Sequence, residues 1–470
     1  METTPLWQWS AGRLRQAYLA GTVTPLDALN ACLARIDQVN PHLNAVIARR
    51  DAADDARRST ERYRRGQSLS DIDGVPVSVK DNLCTHDMPT TWGSRGLQNN
   101  TTATDELPVA RLRASGALIV GKTNVPEFTL EGYTDNPLFG VTRNPWNTSL
   151  TPGGSSGGAV AGVSAGCTPL AIGTDGGGSI RRPSSHCGLV GLKPSIGAIA
   201  RLDGLPSLLL DFEVVGPMAR TVNDARLLFN VLRGPDPRDR ASLAAVAAIQ
   251  AASAGATPGP SRRILYVPTL DDAPVDPEIA ASCLEAMQAL RDLGHEITVG
   301  PLPLDLSWLT DGWPRIGQIG LAALFARHPH WGDRASEKYR VMAEQGAALP
   351  GHQLWSLLAT VDQLRRDCVE LFRHWDIIAM PSAAALPWPA EQAFPTEIAG
   401  QPVGPRGHAL FTGWVNAAGL PAVSVPTAPA GNGLPIGVQL IGAYGADDAI
   451  LDLAQAYEEQ APWADRRPVL

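Results

Sequence analysis

Residues 151–197 restrict this chain more than any other stretch: they are dense in glycine and serine, poor in charge, and interleaved with Ala, Val, Leu and Ile. Low-complexity linkers are polar and repetitive. This stretch is neither, so it belongs in the interior, where glycines let backbone approach something closely. Two clusters, Gly153-Gly154-Ser155-Ser156-Gly157-Gly158 and Gly176-Gly177-Gly178-Ser179, bracket a short small-residue helix and an apolar strand at 169–173. A phosphate loop would need Lys followed by Ser or Thr after the glycines, and neither cluster has it. A dinucleotide fingerprint would need Gly-x-Gly-x-x-Gly opening a long helix, with an acidic residue ~20 positions on. Neither cluster fits that either. Nucleophilic catalysis remains: glycines just before a serine let successive N–H groups converge on one point, as an oxyanion hole requires. Ser179 is the candidate nucleophile.

A serine nucleophile needs a base. His86 and His186 lie near these segments in sequence, but no Gly-x-Ser-x-Gly elbow surrounds Ser179. Lys80 is the other candidate, at the end of an apolar strand in a charge-poor segment. Burial disfavours an ammonium and can lower a lysine pKa by roughly 3–5 units, enough to make it a base near neutral pH. The bland reading of Lys80 is an ion pair with neighbouring Asp81. On the residue pattern alone, both bases stay open.

Around this region the chain alternates short apolar strands with amphipathic helices. Strands are expected at 75–79, 117–120, 264–267, 295–299, 377–380, 422–425 and 436–441. Helices are expected from a Thr24 cap with Pro25 and Asp27 in its first turn, at 49–65, at 278–293 and at 354–375. The Ala/Ser/Pro/Gly-rich stretch 241–263 reads as a connection. With 44% hydrophobic residues in 470, the chain can bury a large core. The pattern predicts an α/β fold: a large, mixed, mostly buried β-sheet flanked by helices on both faces. One domain over 1–470 is expected, with a core at about 65–240, a variable substrate-pocket region at about 241–410 and a C-terminal core segment at about 411–470.

Composition excludes some functions. Lys plus Arg number 39 against 47 Asp plus Glu, a net charge of −8, which argues against a nucleic-acid binder. No run is long and apolar enough for a membrane span, and residues 1–16 lack the apolar core of a secretory signal. Cys32, Cys84, Cys167, Cys187, Cys283 and Cys368 are scattered, with no metal-ligand spacing. Reduced, mostly buried thiols in a cytoplasmic protein are expected, with no metal and no cofactor.

Further segments flank the two clusters: Gly74-Val75-Pro76-Val77-Ser78-Val79-Lys80-Asp81-Asn82, Gly121-Lys122-Thr123-Asn124 and Asn144-Pro145-Trp146-Asn147 upstream. Gly173-Thr174-Asp175 runs into the second cluster and on through Ile180-Arg181, followed by Cys187-Gly188-Leu189-Val190-Gly191-Leu192-Lys193-Pro194. Val215-Gly216-Pro217-Met218-Ala219-Arg220-Thr221 and Gly419-Leu420-Pro421-Ala422 lie downstream. In this order they resemble the amidase signature family of serine hydrolases, over most of 20–240 and the last fifty or so residues. The resemblance implies a Ser–cisSer–Lys triad, with Ser179 as nucleophile, Ser155 as the bridging serine after a cis peptide bond, and Lys80 as base. It further implies oxyanion donors from the backbone of Gly176, Gly177, Gly178 and Ser179. Thr174, Asp175 and Arg181 would support the loop, the last two as a buried pair.

What the resemblance implies chemically is hydrolysis of an amide through an acyl-enzyme, on a small-molecule substrate, without nucleic acid or membrane; it also admits a homodimer. The apolar run 205–212, with Leu205 and Phe212 as substrate contacts, favours an apolar or aryl amide or anilide, and esters or carbamates are open to the same chemistry. Trp308, Trp313, Ile316 and Phe325 lie in an irregular stretch where the pocket is expected. Arg182 is also a candidate substrate-binding residue: its guanidinium could hold a substrate carboxylate bidentately or brace the loop, and bracing is the preferred reading. The rival reading is the glutaminase component of a tRNA-dependent amidotransferase. That branch usually carries Thr and Gln where this chain has Gly176 and Arg182.

Overall fold

The apolar strands assemble into one 11-stranded sheet in a computed structural model that describes residues 4–255 and 261–470. In chain order the strands are β1 (Val46–Arg49), β2 (Pro76–Lys80), β3 (Leu118–Thr123), β4 (Leu170–Asp175), β5 (Val190–Lys193), β6 (Val214–Ala219), β7 (Arg263–Tyr266), β8 (Glu296–Val299) and β9 (Ile377–Pro381). A two-residue hairpin of β10 (Glu397–Ile398) and β11 (Gln401–Pro402) precedes β12 (Ala422–Pro426) and β13 (Gly437–Ile441). The order across the sheet is β1-β3-β2-β4-β6-β5-β12-β13-β9-β7-β8. β3, β2 and β4 are mutually parallel, as are β9, β7 and β8, and antiparallel pairings join the two blocks. The mixed, helix-flanked sheet read from the sequence is thus present.

Period-2 alternation divides each strand between two cores. Leu170 and Ile172 of β4, and Ile377 and Ala379 of β9, enter one apolar cluster with the helices Val222–Leu232, Pro277–Asp292 and Asp447–Gln460. Ala171 faces the other side, against the helix Gly157–Ala165. Ile378 and Met380 do likewise, against the helices Gly351–His374 and Gly413–Ala418. Only the rims are open: β8 is largely solvent-exposed.

Local signals explain several elements. Thr24 and Asp27 form a reciprocal capping box, and Pro25 opens the helix Pro25–Leu43. The polar stretch 49–65 contains the helix Ala53–Arg64, and the N-terminal segment adds the helix Ala11–Leu19. Two expectations are corrected. The stretch read as a connection is mostly the helix Arg240–Gly255, because alanine is the best helix former; residues 256–260 of it lie outside the described residues. The stretch read as irregular forms the helix Leu309–Arg327, although it contains Pro314. Glycine makes its packing feasible: a Cβ at Gly320 would overlap the carbonyl of Leu208.

Candidate active site

Two parallel strands set the site's position. β2 and β4 pair with Val79 opposite Ile172, so they end at the same edge of the sheet. Lys80 closes β2 and Asp175 closes β4. The Lys80 amine stands 2.8 Å from Ser155 Oγ, 3.0 Å from the Thr174 carbonyl oxygen and 2.9 Å from Thr174 Oγ1. Asn82 donates to the same threonine hydroxyl at 3.0 Å. Lys80 has no carboxylate partner among the described residues; Asp81 instead faces Lys122 at 3.6 Å. Full burial therefore pushes the Lys80 amine down from 10.5 to about 7, only partly opposed by the charges of Glu213 and Asp175.

Ser155 follows a cis Gly154–Ser155 peptide, as the resemblance implied. The next residue ties the two glycine clusters together: Ser156 N–H donates to the Ser179 carbonyl at 3.2 Å, and Ser156 Oγ to the Thr174 carbonyl at 3.3 Å. Ser179 is 7% exposed and lines a cavity of about 150 Å³.

The loop carrying Ser179 is fixed from below by Asp175. Its carboxylate accepts from Gly178 N–H at 2.6 Å and Ile180 N–H at 3.1 Å, and it meets the Arg181 guanidinium in two contacts of 3.0 Å. Both side chains are fully buried, and the guanidinium holds the Asp175 carboxyl far below the usual carboxylate range despite the burial. One expected oxyanion donor is thereby corrected: the Gly178 N–H is spent on Asp175. Gly178 sits at φ +112°, which a side chain adopts only with strain. The N–H groups of Gly176, Gly177 and Ser179 have no acceptor among the described residues.

Sequence reasoning missed the other half of this brace. Asn416 donates to the Asp175 carboxylate at 3.0 Å, Gln439 accepts from Arg181 at 3.0 Å, and Thr412 donates to the Gly177 carbonyl at 2.7 Å. A lone amide inside the apolar run 436–441 was the available signal for Gln439.

The remaining residues singled out from the sequence are dispersed. Trp313 lines the Ser179 cavity with Leu209, Met342, Arg182 and His408. Phe212 stacks behind Trp313, with ring centroids 5.6 Å apart, while Leu205 lines a neighbouring cavity of about 370 Å³. Ile316 and Trp308 pack in one apolar core and Phe325 in another. His86 is half-exposed beside Asp105, and His186 is buried against the Ala385 carbonyl at 3.1 Å, its pKa pushed down to about 4 by desolvation. All six cysteines are free and buried. Among the described residues, the one cluster with metal-ligand geometry is His86, Asp87 and Asp105, whose carboxylates already pair with Arg113 and Arg50. No helix among them is long and apolar enough to cross a membrane.

Residues 27–451 match the family model described as Amidase. The chain is 33% identical to an acylamidase of Rhodococcus erythropolis, over 98% of its own length and 97% of the relative's. It is 35% identical to one of the component chains of the glutamyl-tRNA(Gln) amidotransferase of Symbiobacterium thermophilum, over 98% of both. Among solved structures, a bacterial aryl acylamidase of the amidase signature enzymes superposes with a TM-score of 0.88 at 27% identity, covering 98% of each chain. A 6-aminohexanoate cyclic dimer hydrolase superposes with 0.85 at 30% identity, covering 99% of each. The likeness runs almost end to end in sequence and in three dimensions, and the buried amine, the two serines and their glycine loops lie inside it. This chain belongs to the amidase family and is a hydrolase of carbon–nitrogen bonds.

Proposed function

We propose that Ser179 is the nucleophile of an amidase, Ser155 its proton bridge and Lys80 its base. The observation that carries this reading is the 2.8 Å contact between the Ser155 hydroxyl and a fully buried amine that has no carboxylate partner among the described residues. A neutral primary amine has two N–H groups and one lone pair. With the two N–H groups directed at the Thr174 carbonyl and hydroxyl, the lone pair is left for Ser155. Lys80 then takes the Ser155 proton while Ser155 takes that of Ser179, whose oxygen attacks the substrate carbonyl carbon. The developing oxyanion is met by the uncommitted N–H groups of Gly176, Gly177 and Ser179. The proton returns through Ser155 to the leaving nitrogen, the C–N bond breaks, and water hydrolyses the acyl-enzyme.

The substrate is a small apolar or aryl amide or anilide, with esters or carbamates open to the same acyl transfer. Support comes from the apolar wall of Leu130, Leu209, Trp313 and Met342 beside Ser179, and from relatives named acylamidase and aryl acylamidase. The rival reading, the glutaminase component of a tRNA-dependent amidotransferase, rests on the amidotransferase relative at 35% identity. Gly176 and Arg182 favour the free-standing enzyme. We also read residues 1–470 as one domain, on the strength of one continuous sheet, and the protein as cytoplasmic, on the strength of six free, buried thiols.

The test is a panel of primary amides, anilides, carbamates and esters, offered to the wild type and to Ser179→Ala. Turnover and covalent labelling by phenylmethylsulfonyl fluoride should both vanish in the variant. Labelling that survives Ser179→Ala would overturn the assignment. Glutaminase activity that arises only with added partner proteins would favour the rival.

A further inference from the structure

Two adjacent arginines follow Ser179, and the protein treats them differently. Arg181 is saturated: Asp175, Gln439, Asn416 and the Thr412 carbonyl take its donors. Arg182 is 7% exposed and forms no ion pair among the described residues. Its nearest polar partners are the Gly178 carbonyl at 3.4 Å from Nε and His408 Nε2 at 3.3 Å from Nη1.

A bracing role does not account for that burial. The Gly178 carbonyl already accepts the Arg182 backbone N–H at 3.0 Å, and Asp175 holds the Gly178 N–H, so the loop is fixed without the guanidinium. The guanidinium instead lines the cavity of Ser179. The two acids on that cavity wall pair with other cations, Glu131 with Lys338 at 3.0 Å and Glu213 with Arg201 at 2.7 Å, an arginine it shares with Glu106 at 2.8 Å. Arg406, at the same wall, also lacks an ion pair among the described residues. His408, itself buried, lies against the Arg182 guanidinium. Two guanidinium groups without ion pairs among the described residues, Arg182 and Arg406, therefore line the cavity, and Arg182 is three positions from the nucleophile. A buried ion without a counter-ion is strongly unfavourable, and a planar guanidinium fork matches a carboxylate in two parallel bonds.

We propose that Arg182, with His408 beside it, is an anion subsite of the Ser179 site, and that the enzyme's substrates are amides bearing a carboxylate close to the scissile bond. The proposal rests on the Ser179 reading and narrows it: the apolar wall takes the carbon skeleton, and Arg182 takes the charge. It replaces the bracing role expected of Arg182 from the sequence.

The test uses matched substrates that differ in charge alone. One pair is the half-amide of a short dicarboxylic acid and its methyl ester; the other is the anilide of an aminobenzoate and its methyl ester. For the wild type, C–N cleavage of the acid in at least one pair should exceed that of the ester in kcat/KM by about 10- to 100-fold, mostly through KM. In Arg182→Gln that ratio should fall to near one, and in Arg182→Lys it should be intermediate, because a point charge lacks the fork. Ser179→Ala, titrated calorimetrically with the preferred acid, should bind it at least tenfold more tightly than its ester. A wild-type ratio at or below one in both pairs, or a ratio untouched in Arg182→Gln, overturns the subsite. Labelling of Ser179 by phenylmethylsulfonyl fluoride separates the two claims. A labelled enzyme that cleaves neutral amides without charge preference sinks the subsite alone. An enzyme that is neither labelled nor active on any amide sinks the Ser179 reading, and the subsite with it.

Discussion

Replacing Lys80 by Met should make the protein inactive and, near neutral pH, change its stability in a way set by one proton. The wild-type amine is depressed from 10.5 to about 7 by burial, a shift worth about 5 kcal/mol at ~1.4 kcal/mol per pKa unit. The folded amine holds its proton only below about pH 7, whereas the unfolded amine holds it up to its ordinary value near 10.5. Across that interval the unfolded chain carries the extra proton, so this residue makes stability rise with pH, by about 2 kcal/mol between pH 7 and pH 9. Methionine fills similar volume without a titrating group and removes that slope. The three hydrogen bonds lost to Ser155 and Thr174 lower the variant's stability by a constant amount, about 1 kcal/mol each, and leave the slope difference intact. Lys193, also buried and depressed to about 7, titrates alike in both proteins and cancels. The assay is urea unfolding of wild type and Lys80→Met at pH 7, 8 and 9. The stability difference should shift towards the wild type by about 2 kcal/mol over that range. The acid limb of wild-type kcat/KM should report the same group, rising towards a plateau above about pH 7. Parallel pH dependences in the two proteins would refute the reasoning, because Lys80 would then keep its charge and could not serve as a base.

Other perturbations probe the frame. Gly178→Ala forces a Cβ into Thr412 Oγ1 at φ +112°, so kcat should fall at least a hundredfold and the melting temperature should drop. Asp175→Asn leaves the Arg181 guanidinium buried without its counter-ion and should cost about 3–5 kcal/mol in urea unfolding. His86→Ala, at a half-exposed position, should leave kcat/KM unchanged and stability within about 0.5 kcal/mol; a collapse of activity would revive a Ser–His mechanism.

Ser179 and Lys80 could be shortlisted from local sequence, whereas the preference for Lys80 over a histidine, and the place of Ser155, came from the family resemblance. Lys80 ends an apolar strand, Ser179 follows three glycines, and both facts lie within a few positions in the sequence. The sheet was legible as a set of strands but not in its order. β5 lies between β6 and β12 through pairs such as Ser424 with Gly191, more than two hundred residues apart, and no periodicity encodes that. The role of Arg182 could not be read from the sequence for a related reason. Its meaning depends on which acids around it are already paired, and Lys338 and Arg201 settle that from distant segments. The helix Leu309–Arg327 was hidden by Gly312, Pro314, Gly317 and Gly320, which lower intrinsic propensity while tertiary packing overrides it.

The clamp on the Asp175–Arg181 pair bears on the order in which the enzyme comes alive. Thr412, Asn416 and Gln439 enter the chain more than two hundred residues after the loop they hold. A ribosome that has released everything through residue 400 has already delivered Lys80, Ser155 and Ser179, yet the glycine loop still lacks three of its anchors. Closure of the clamp on the Ser179 loop therefore waits for residues 412–439.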